Sequence, residues 1–169
     1  YLIVGGGSAG SVLAGRLSEQ PHTSVVLLEA GGTGDSQLVK TPMGVVAMLP
    51  TRINNYALET VPQVGLNGRR GYQPRGKGLG GSSAINAMVY IRGHRSDYDH
   101  WASLGNTGWS YDELLPYFLR SEDNANLKDA FHGQGGPLPV ADLQTGNPFQ
   151  KVYLDAARQA GFAVTRDFN

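Results

Sequence analysis

An α/β fold that opens with a strand–helix–strand unit is predicted by three features of residues 1–29. Residues 1–4 form a short apolar run, residues 8–18 carry apolar side chains at helical spacing, and residues 24–29 form a second apolar run. A glycine-rich turn at residues 5–10 joins the first strand to the helix. Together these features predict a Rossmann-like βαβ unit with two parallel strands.

The helix of this unit, from Ser8 to about Ser18, places Val12, Leu13 and Leu17 on one face, and Pro21 ends the helical pattern. The second strand is almost uninterrupted by polar residues, as is typical of strands in parallel sheets. The chain from Ala30 to Gly71 is predicted to be irregular, because glycines and prolines punctuate it and no alternation of helices and strands continues.

Two further helices are predicted in the middle of the chain. One could begin between Ser83 and Tyr90, and a better-defined one spans Asp97 to Leu104 and is closed by Gly105. The capping box Ser110–Glu113 then predicts the start of another helix, since it precedes apolar residues at helical spacing.

The last part of the chain predicts a strand and a helix. Gly136–Val140 is a short strand or edge segment, and Asn147–Pro148 begins a helix that ends before Gly161. One face of this helix is predicted to be buried. Its residues are Phe149, Val152, Tyr153 and Ala156.

Composition excludes several classes of function. The 14 Lys and Arg residues balance the 14 Asp and Glu residues without any block of like charge, so nothing indicates nucleic-acid binding. The absence of cysteine excludes disulfides and thiolate metal sites, and no apolar run is long enough for a transmembrane segment. Because the chain starts within a strand and stops without a terminating element, we expect a fragment of a longer protein.

The first glycine loop, residues 1–10, reads YLIVGGGSAG and matches the dinucleotide-binding fingerprint. In that fingerprint Gly5 permits the tight turn, Gly7 lets the backbone approach a pyrophosphate, and Gly10 lets the helix pack on the sheet. Glu29 follows Gly10 by 19 residues, where an acid accepts hydrogen bonds from the adenosine ribose. This loop alone leaves FAD and NAD open, since both carry an unphosphorylated ribose.

A second glycine loop lies at residues 74–86, which read PRGKGLGGSSAIN. Gly80 and Gly81 remove side chains where backbone amides must face a planar ring or a phosphate. Ser82, Ser83 and Asn86 add compact hydrogen-bonding groups. The charges of Arg75 and Lys77 either neutralise a pyrophosphate or lie on the surface. Two such loops in this order favour a flavin over a nicotinamide.

Residues 76–86, with Tyr90, Gly93 and Asp99, resemble the first signature of the glucose–methanol–choline (GMC) oxidoreductases. Residues 86–101 are most similar to the choline and alkanol dehydrogenases of bacteria. The resemblance covers the whole chain. It implies that residues 1–169 are the N-terminal portion of an FAD-binding domain, an incomplete part of a larger two-domain flavoprotein, with residues from about 130 leading into the substrate-binding domain. Later strands complete the sheet of this domain in the family, so the resemblance also implies an exposed sheet face and open edges here.

The resemblance implies FAD-dependent oxidation of an alcohol to an aldehyde, with hydride transfer to flavin N5. Its partners would be a small alcohol and an electron acceptor, either a quinone of the respiratory chain or oxygen. The sequence does not fix the compartment, and the locations considered are the cytoplasm and the periphery of a bacterial inner membrane. The implied cofactor-binding residues are Gly5, Gly7, Ser8, Ala9, Gly10, Glu29, Ala30, Gly78, Gly80, Gly81, Ser82, Asn86, Ala87, Met88 and Val89.

No catalytic residue is expected within this chain, because the family's catalytic histidine lies in the C-terminal part of its members. His22 and His132 are predicted at the surface, and His94 and His100 are predicted to be packed or solvated rather than near a cofactor. Ile85 stands where some family members attach FAD covalently through a histidine, so the flavin is expected to be dissociable.

Four aromatic residues allow two interpretations. They could form a cage for a quaternary ammonium group, but their helical spacing favours core packing. The residues are Tyr98, Trp101, Trp109 and Tyr117.

Two alternative functions stay open at this point. A nicotinamide-dependent dehydrogenase would require repeated βα units after Glu29, which the sequence does not show. A lyase that retains FAD without redox turnover would share all the N-terminal motifs.

Overall fold

The computed structural model describes all 169 residues, and the chain divides into two compact units, Tyr1–Val89 and Tyr90–Asn169. None of its helices has the length and apolar character needed to cross a bilayer. The first unit contains β1 (Leu2–Val4), α1 (Ser8–Ser18), β2 (Val26–Leu28), α2 (Gln37–Lys40), α3 (Gly44–Met48), β3 (Leu58–Glu59), a 3₁₀ turn (Val64–Leu66), β4 (Tyr72–Gln73) and a second 3₁₀ turn (Gly81–Ala84). The second unit contains α4 (Arg95–Ser103), α5 (Tyr111–Ser121), β5 (Glu122–Asn124), β6 (Leu138–Val140) and α6 (Phe149–Gln159).

The predicted βαβ unit is confirmed. β1 and β2 pair in parallel, with Ile3 opposite Leu27, and α1 connects them. The α1 residue Gly10 packs against the Ile3 side of the sheet, because a Cβ on Gly10 would lie 3.4 Å from Ile3 Cγ2. Leu2 and Val4 point to the other face and are 64% and 80% exposed. The alternation follows from the strand pleat and leaves the exposed sheet face that the resemblance implies.

The stretch from Ala30 to Gly71 contains more regular structure than predicted. Ser36 begins α2 by accepting a hydrogen bond from the Val39 amide (3.3 Å), and β3 pairs antiparallel with β4. Buried Asn55 fixes the end of α3, because its side-chain amide donates to the Met48 carbonyl group (3.3 Å). Helices of four and five residues are too short to display a 3.6-residue period, which is why the sequence pattern missed them.

No helix begins between Ser83 and Tyr90, contrary to the prediction for this stretch. The 3₁₀ turn at Gly81–Ala84 leads into an irregular loop. Asn86 Oδ1 accepts a hydrogen bond from the Met88 amide (2.8 Å), and Met88 adopts a left-handed φ of 57°. A hydrogen bond from a side chain to the nearby backbone competes with the backbone hydrogen bonds of a helix, and a residue in the left-handed conformation cannot continue a right-handed helix.

The helices of the second unit begin at well-defined caps. α4 starts at Arg95 rather than Asp97, because His94 Nδ1 accepts a hydrogen bond from the Ser96 amide (3.3 Å). The predicted capping box of α5 is confirmed, since the Glu113 carboxylate accepts hydrogen bonds from the Ser110 amide (3.1 Å) and hydroxyl (2.6 Å).

Aromatic side chains pack between α4 and α5. The ring centroids of Tyr98 and Trp101 lie 5.5 Å apart, and those of Tyr98 and Phe118 lie 5.6 Å apart. Trp109 packs edge-on against Trp101 at 5.8 Å. Tyr98 is half-buried in this packing, whereas Trp101 and Trp109 contact each other but stay 44% and 49% exposed, so core packing is confirmed for Tyr98 alone. It is wrong for Tyr117, which points outward and is 66% exposed.

The C-terminal elements match the predicted positions but not the predicted burial. β6 pairs in parallel with β5, and Asn147 Oδ1 accepts a hydrogen bond from the Phe149 amide (3.0 Å) at the start of α6. The predicted buried face of α6 is exposed, with Phe149 and Tyr153 both more than two-thirds accessible. No other helix or strand of the second unit covers that face, so helical periodicity identifies the apolar side of α6 but not what packs on it.

A buried polar cluster forms around Glu122, which has no exposed surface. Its Oε2 accepts hydrogen bonds from Arg92 Nη2 (2.5 Å) and the Gly133 amide (3.0 Å). Its Oε1 accepts one from Asn124 Nδ2 (2.7 Å) and lies 3.2 Å from His132 Nδ1. We call these five residues the Glu122 cluster. The prediction of a surface position for His132 is wrong, because the buried carboxylate draws the imidazole inward.

Candidate cofactor site

The first glycine loop runs from the end of β1 into α1, and its geometry requires glycine at two positions. Gly5 has a φ of 99°, which side chains disfavour, and its amide donates to the Leu28 carbonyl group of β2 (2.7 Å). A Cβ on Gly10 would lie 1.9 Å from the Gly5 carbonyl oxygen. The loop therefore turns sharply and lets α1 approach β1 as the fingerprint predicts.

The N-terminus of α1 is open to a ligand. Gly7 is its N-cap in an extended conformation, and no side chain caps the helix. Ser8, Ala9 and Gly10 form its first turn, where amide groups have no intrahelical acceptor. A Cβ on Gly7 would have no neighbour closer than Gly81 Cα at 3.9 Å. Outward N–H groups at the positive end of the helix dipole suit a phosphate.

The second glycine loop lies directly against the first. The Gly80 amide donates to the Gly6 carbonyl group (2.8 Å), and Gly80 forms a parallel bridge with Gly7. A Cβ on Gly81 would lie 2.7 Å from Gly7 Cα, and Gly81 also has a φ of 53°. Backbone therefore packs on backbone, and side chains at these positions would separate the two loops.

The Glu29 carboxylate lies where the two loops meet. Its Oε2 accepts a hydrogen bond from the Gly6 amide (2.7 Å), and its Oε1 accepts from the amides of Gly31 (2.8 Å) and Gly78 (2.9 Å). We call this arrangement the Glu29 junction. The hydrogen bond from the Gly31 amide, and to a smaller extent the one from the Gly6 amide, hold the pKa of Glu29 below its ordinary value, because they stabilise the ionised form.

Other predicted residues have different surroundings. Ser82 Oγ accepts a hydrogen bond from the Gly76 amide (3.1 Å) and so stabilises the second loop itself. Ala30 is exposed beside the junction in the chain. Asn86 and Met88 line a small cavity with residues of α2 and α3, and Val89 is 76% exposed. None of the residues from Asn86 to Val89 forms the hydrogen bonds that join the two loops.

The charged residues of the second loop turn to protein partners. Lys77 Nζ lies 5.4 Å from the centroid of the Tyr56 ring, and Arg75 Nη1 donates to the neighbouring Pro74 carbonyl group (2.6 Å). These contacts favour a surface role over neutralisation of a phosphate.

The chain's histidines are all accounted for outside this site. His22 and His100 are exposed, His94 caps α4, and His132 belongs to the Glu122 cluster.

Sequence reasoning missed three glycines of this site. Gly6 and Gly31 supply amides to Glu29, and Gly32 accepts a hydrogen bond from the Leu79 amide (2.9 Å). The signal available in the sequence is the pair Gly31–Gly32, which begins two residues after Glu29. A Cβ on Gly31 would lie 2.4 Å from Gly78 N, which explains why a glycine is needed there.

Comparison with known proteins identifies the family. The sequence model of the GMC oxidoreductases matches residues 1–169. The chain belongs to the GMC oxidoreductase family. The oxygen-dependent choline dehydrogenases of Sinorhizobium fredii and Vibrio vulnificus are both 44% identical to this GMC chain over its whole length. The chain covers 31% and 30% of those two proteins, so it spans about a third of the curated relatives that it matches.

Solved GMC structures share the fold. Pyridoxine 4-oxidase from Mesorbium loti superposes with a TM-score of 0.85 at 40% identity, over 94% of this chain and 31% of that protein. A formate oxidase superposes with a TM-score of 0.87 at 29% identity, over 99% of this chain and 31% of that protein. The fold class predicted from the sequence is therefore confirmed.

Membership of the GMC family implies FAD, and the residues present fit that cofactor. The uncapped start of α1 offers amides to a diphosphate, and a Cβ on Gly5 would meet no atom within 4 Å, so the backbone is accessible there. Glu29 Oε2 has a single hydrogen-bond donor in the protein, which leaves an acceptor position for a ribose hydroxyl. No feature at these positions conflicts with a dinucleotide.

Proposed function

We propose that the protein to which this chain belongs oxidises an alcohol to an aldehyde with FAD, and that residues 1–169 supply the flavin-binding part. The observation that carries the proposal is the meeting of two glycine loops at Glu29, beside the uncapped start of α1. The choline dehydrogenases among the relatives support an alcohol substrate.

The residues of this chain bind and orient the cofactor. Amides from Gly7 to Gly10 hold the diphosphate, and Glu29 accepts a hydrogen bond from the adenosine ribose. Residues 78–82 and 86–89 would hold the flavin ring, to which they could offer backbone amides and small polar groups. Bound FAD supplies N5 as the acceptor of the hydride from the alcohol. The catalytic histidine is expected outside residues 1–169.

We propose that the flavin is held without a covalent bond. Ile85 occupies the position at which some family members carry the attaching histidine, and its side chain is buried and 3% exposed. An alkyl side chain offers no atom that could form the linkage. Precipitation of the full-length protein with acid is expected to release the flavin into the supernatant, whereas a yellow pellet would contradict this part of the proposal.

The substrate is proposed to be choline-like or an alkanol, and the electron acceptor to be oxygen or a quinone. Relatives named oxygen-dependent choline dehydrogenases support the choline-like class. The aromatic residues of α4 and α5 give this class no additional support, because they pack against each other.

The proposal is tested by purifying the full-length protein and recording its flavin absorbance. Anaerobic addition of choline, and separately of straight-chain alkanols, is expected to bleach the flavin with at least one of them. Bound flavin that no alcohol reduces would favour the lyase alternative. Turnover that depends on NAD in a protein without flavin would contradict the proposal.

A further inference from the structure

The Glu29 junction connects three segments that are distant in sequence. Gly6 is 23 residues and Gly78 is 49 residues from Glu29, while Gly31 follows it by two. The first loop, the turn after β2 and the second loop therefore converge on one carboxylate. Bringing such segments together costs chain entropy, which a hydrogen-bonded ionised group can offset.

Glu29 is the acceptor that satisfies all three amides. The amides of Gly6, Gly31 and Gly78 have no other hydrogen-bond partner in the protein. Without the carboxylate these donors would lose their partner at a place where backbone packs on backbone. The Glu29 side chain is also closely fitted, because a Cβ on Gly6 would lie 3.2 Å from its Oε2.

Most of the acceptor capacity of Glu29 is used by the protein. An ionised carboxylate offers about four acceptor positions, and the three amides occupy three of them. One position on Oε2 is left for a cofactor hydroxyl. A glutamate that served only the ribose would leave more of its oxygen surface free.

We propose that Glu29 is a positioning residue that assembles the two glycine loops into a preformed flavin site before the cofactor arrives. The ribose then takes the one remaining acceptor position. This role rests on the proposed flavin site, but the assembly of the loops is measurable in the apoprotein whether or not flavin binds. The lowered pKa of Glu29 is consistent with a carboxylate that stays ionised for this purpose.

Replacement by glutamine separates the two roles. The glutamine carbonyl group can still accept from Gly31 and Gly78, but its amide group then faces the Gly6 N–H, and two donors oppose each other. A glutamate that served only the ribose would not contact the loops, so a role limited to the ribose predicts no change in the apoprotein and an effect confined to ligands that carry the adenosine ribose.

The test is hydrogen–deuterium exchange on the full-length apoprotein, prepared by removal of flavin. In the wild type we expect slow exchange in peptides that contain Gly31 and Gly78. In Glu29→Gln we expect exchange there to accelerate about tenfold or more. The matched control is Glu19→Gln, an exposed glutamate paired with Arg16 in the same unit, which should leave both peptides unchanged.

Flavin binding gives a second measurement. Glu29→Gln is expected to weaken FAD binding and also the binding of FMN, which lacks the adenosine ribose, by about tenfold or more. Loss of FAD affinity alone, with exchange unchanged, would overturn the positioning role and leave the ribose contact.

Hydrogen–deuterium exchange of the wild-type apoprotein tests whether the loops are assembled before flavin binds, even if the Glu29→Gln variant does not fold. Unprotected peptides around Gly31 and Gly78 in the wild-type apoprotein would overturn the inference. Protected peptides in a full-length protein that binds no flavin would support the assembly role while contradicting the proposed function, so the two failures are distinguishable.

Discussion

Two glutamates anchor the two units of this chain in different ways. Glu29 in the first unit accepts hydrogen bonds from three glycine amides and is only partly buried. Glu122 in the second unit is fully buried and is surrounded mostly by side chains, including Arg92 and His132. Both carboxyl groups have a lowered pKa, yet their surroundings suit different tasks.

The difference lies in how many acceptor positions the protein occupies. Glu122 has two partners on each oxygen, so its hydrogen-bonding capacity is filled within the chain. Glu29 has one partner on Oε2 and two on Oε1, which leaves a position for a ligand. A carboxylate whose acceptor positions are all occupied, such as Glu122, is expected only to stabilise the fold. A carboxylate with one position left, such as Glu29, can both hold the glycine backbone and accept a hydrogen bond from a ligand.

The largest effect is expected in the Glu122 cluster. Glu122→Ala leaves Arg92 buried without its partner and should lower the free energy of unfolding by about 3–5 kcal/mol. Urea unfolding of the full-length protein measures this. The control is Asp112→Asn, which breaks an exposed ion pair with Arg95 and should cost about 1 kcal/mol or less. Equal losses in the two variants would show that the cluster contributes no more than a surface pair.

A smaller effect is expected where the loops of the first unit meet. Gly31→Ala places a Cβ 2.4 Å from Gly78 N, so the loops must move apart, at a cost of about 1–3 kcal/mol in unfolding free energy. Flavin affinity should fall with it, as measured by titration of the apoprotein.

Gly15→Ala is the matched control for that variant. Gly15 lies within α1 and its Cβ would meet no atom within 4 Å, so this variant should gain about 0.5–1 kcal/mol. Gly31→Ala with wild-type stability and flavin affinity would contradict the close packing of the loops.

The sequence predicts the regions whose structure depends on local backbone conformation. The βαβ unit and the glycine fingerprint were recognisable because strand, turn and helix each leave a local pattern, and Gly5 and Gly10 have the roles that the pattern assigns. The order of the two glycine loops favours a flavin, and the structure places these loops in contact.

Contacts between distant side chains and backbone were not predictable in the same way. Nothing near His132 in the sequence indicates that Glu122 draws it inward, and nothing near Glu29 indicates three amide partners. The exposed face of α6 shows the same limit, because periodicity reports that a face is apolar but not what covers it.

A smaller loss of stability is expected for Asp167, which lies next to the Glu122 cluster and contacts its His132. Asp167 Oδ2 lies 3.2 Å from His132 Nε2 and is partly exposed, so Asp167→Asn should cost about 1 kcal/mol. Thermal or urea unfolding measures it. A loss as large as that of Glu122→Ala would mean that the cluster extends to the C-terminal residues as one unit.

The smallest expected effect is a pH dependence of the Glu29 junction. Glycine amides lower the pKa of Glu29 in the folded state, so its stabilisation is fully present above the unfolded pKa of about 4.3 and is lost as the pH falls through the lower folded pKa. The difference in unfolding free energy between wild type and Glu29→Gln should be constant from about pH 5 to 8 and shrink below about pH 4. A difference that grows on acidification would contradict the assignment.

The central claim is that the two glycine loops and Glu29 enclose one FAD molecule. A crystal structure of the full-length protein with FAD tests it most directly. We expect diphosphate oxygens within about 3.2 Å of amides between Gly7 and Gly10, a ribose hydroxyl on Glu29 Oε2, and the flavin ring beside residues 78–89. A flavin bound elsewhere, or a Glu29 side chain turned away from both loops, would contradict the account.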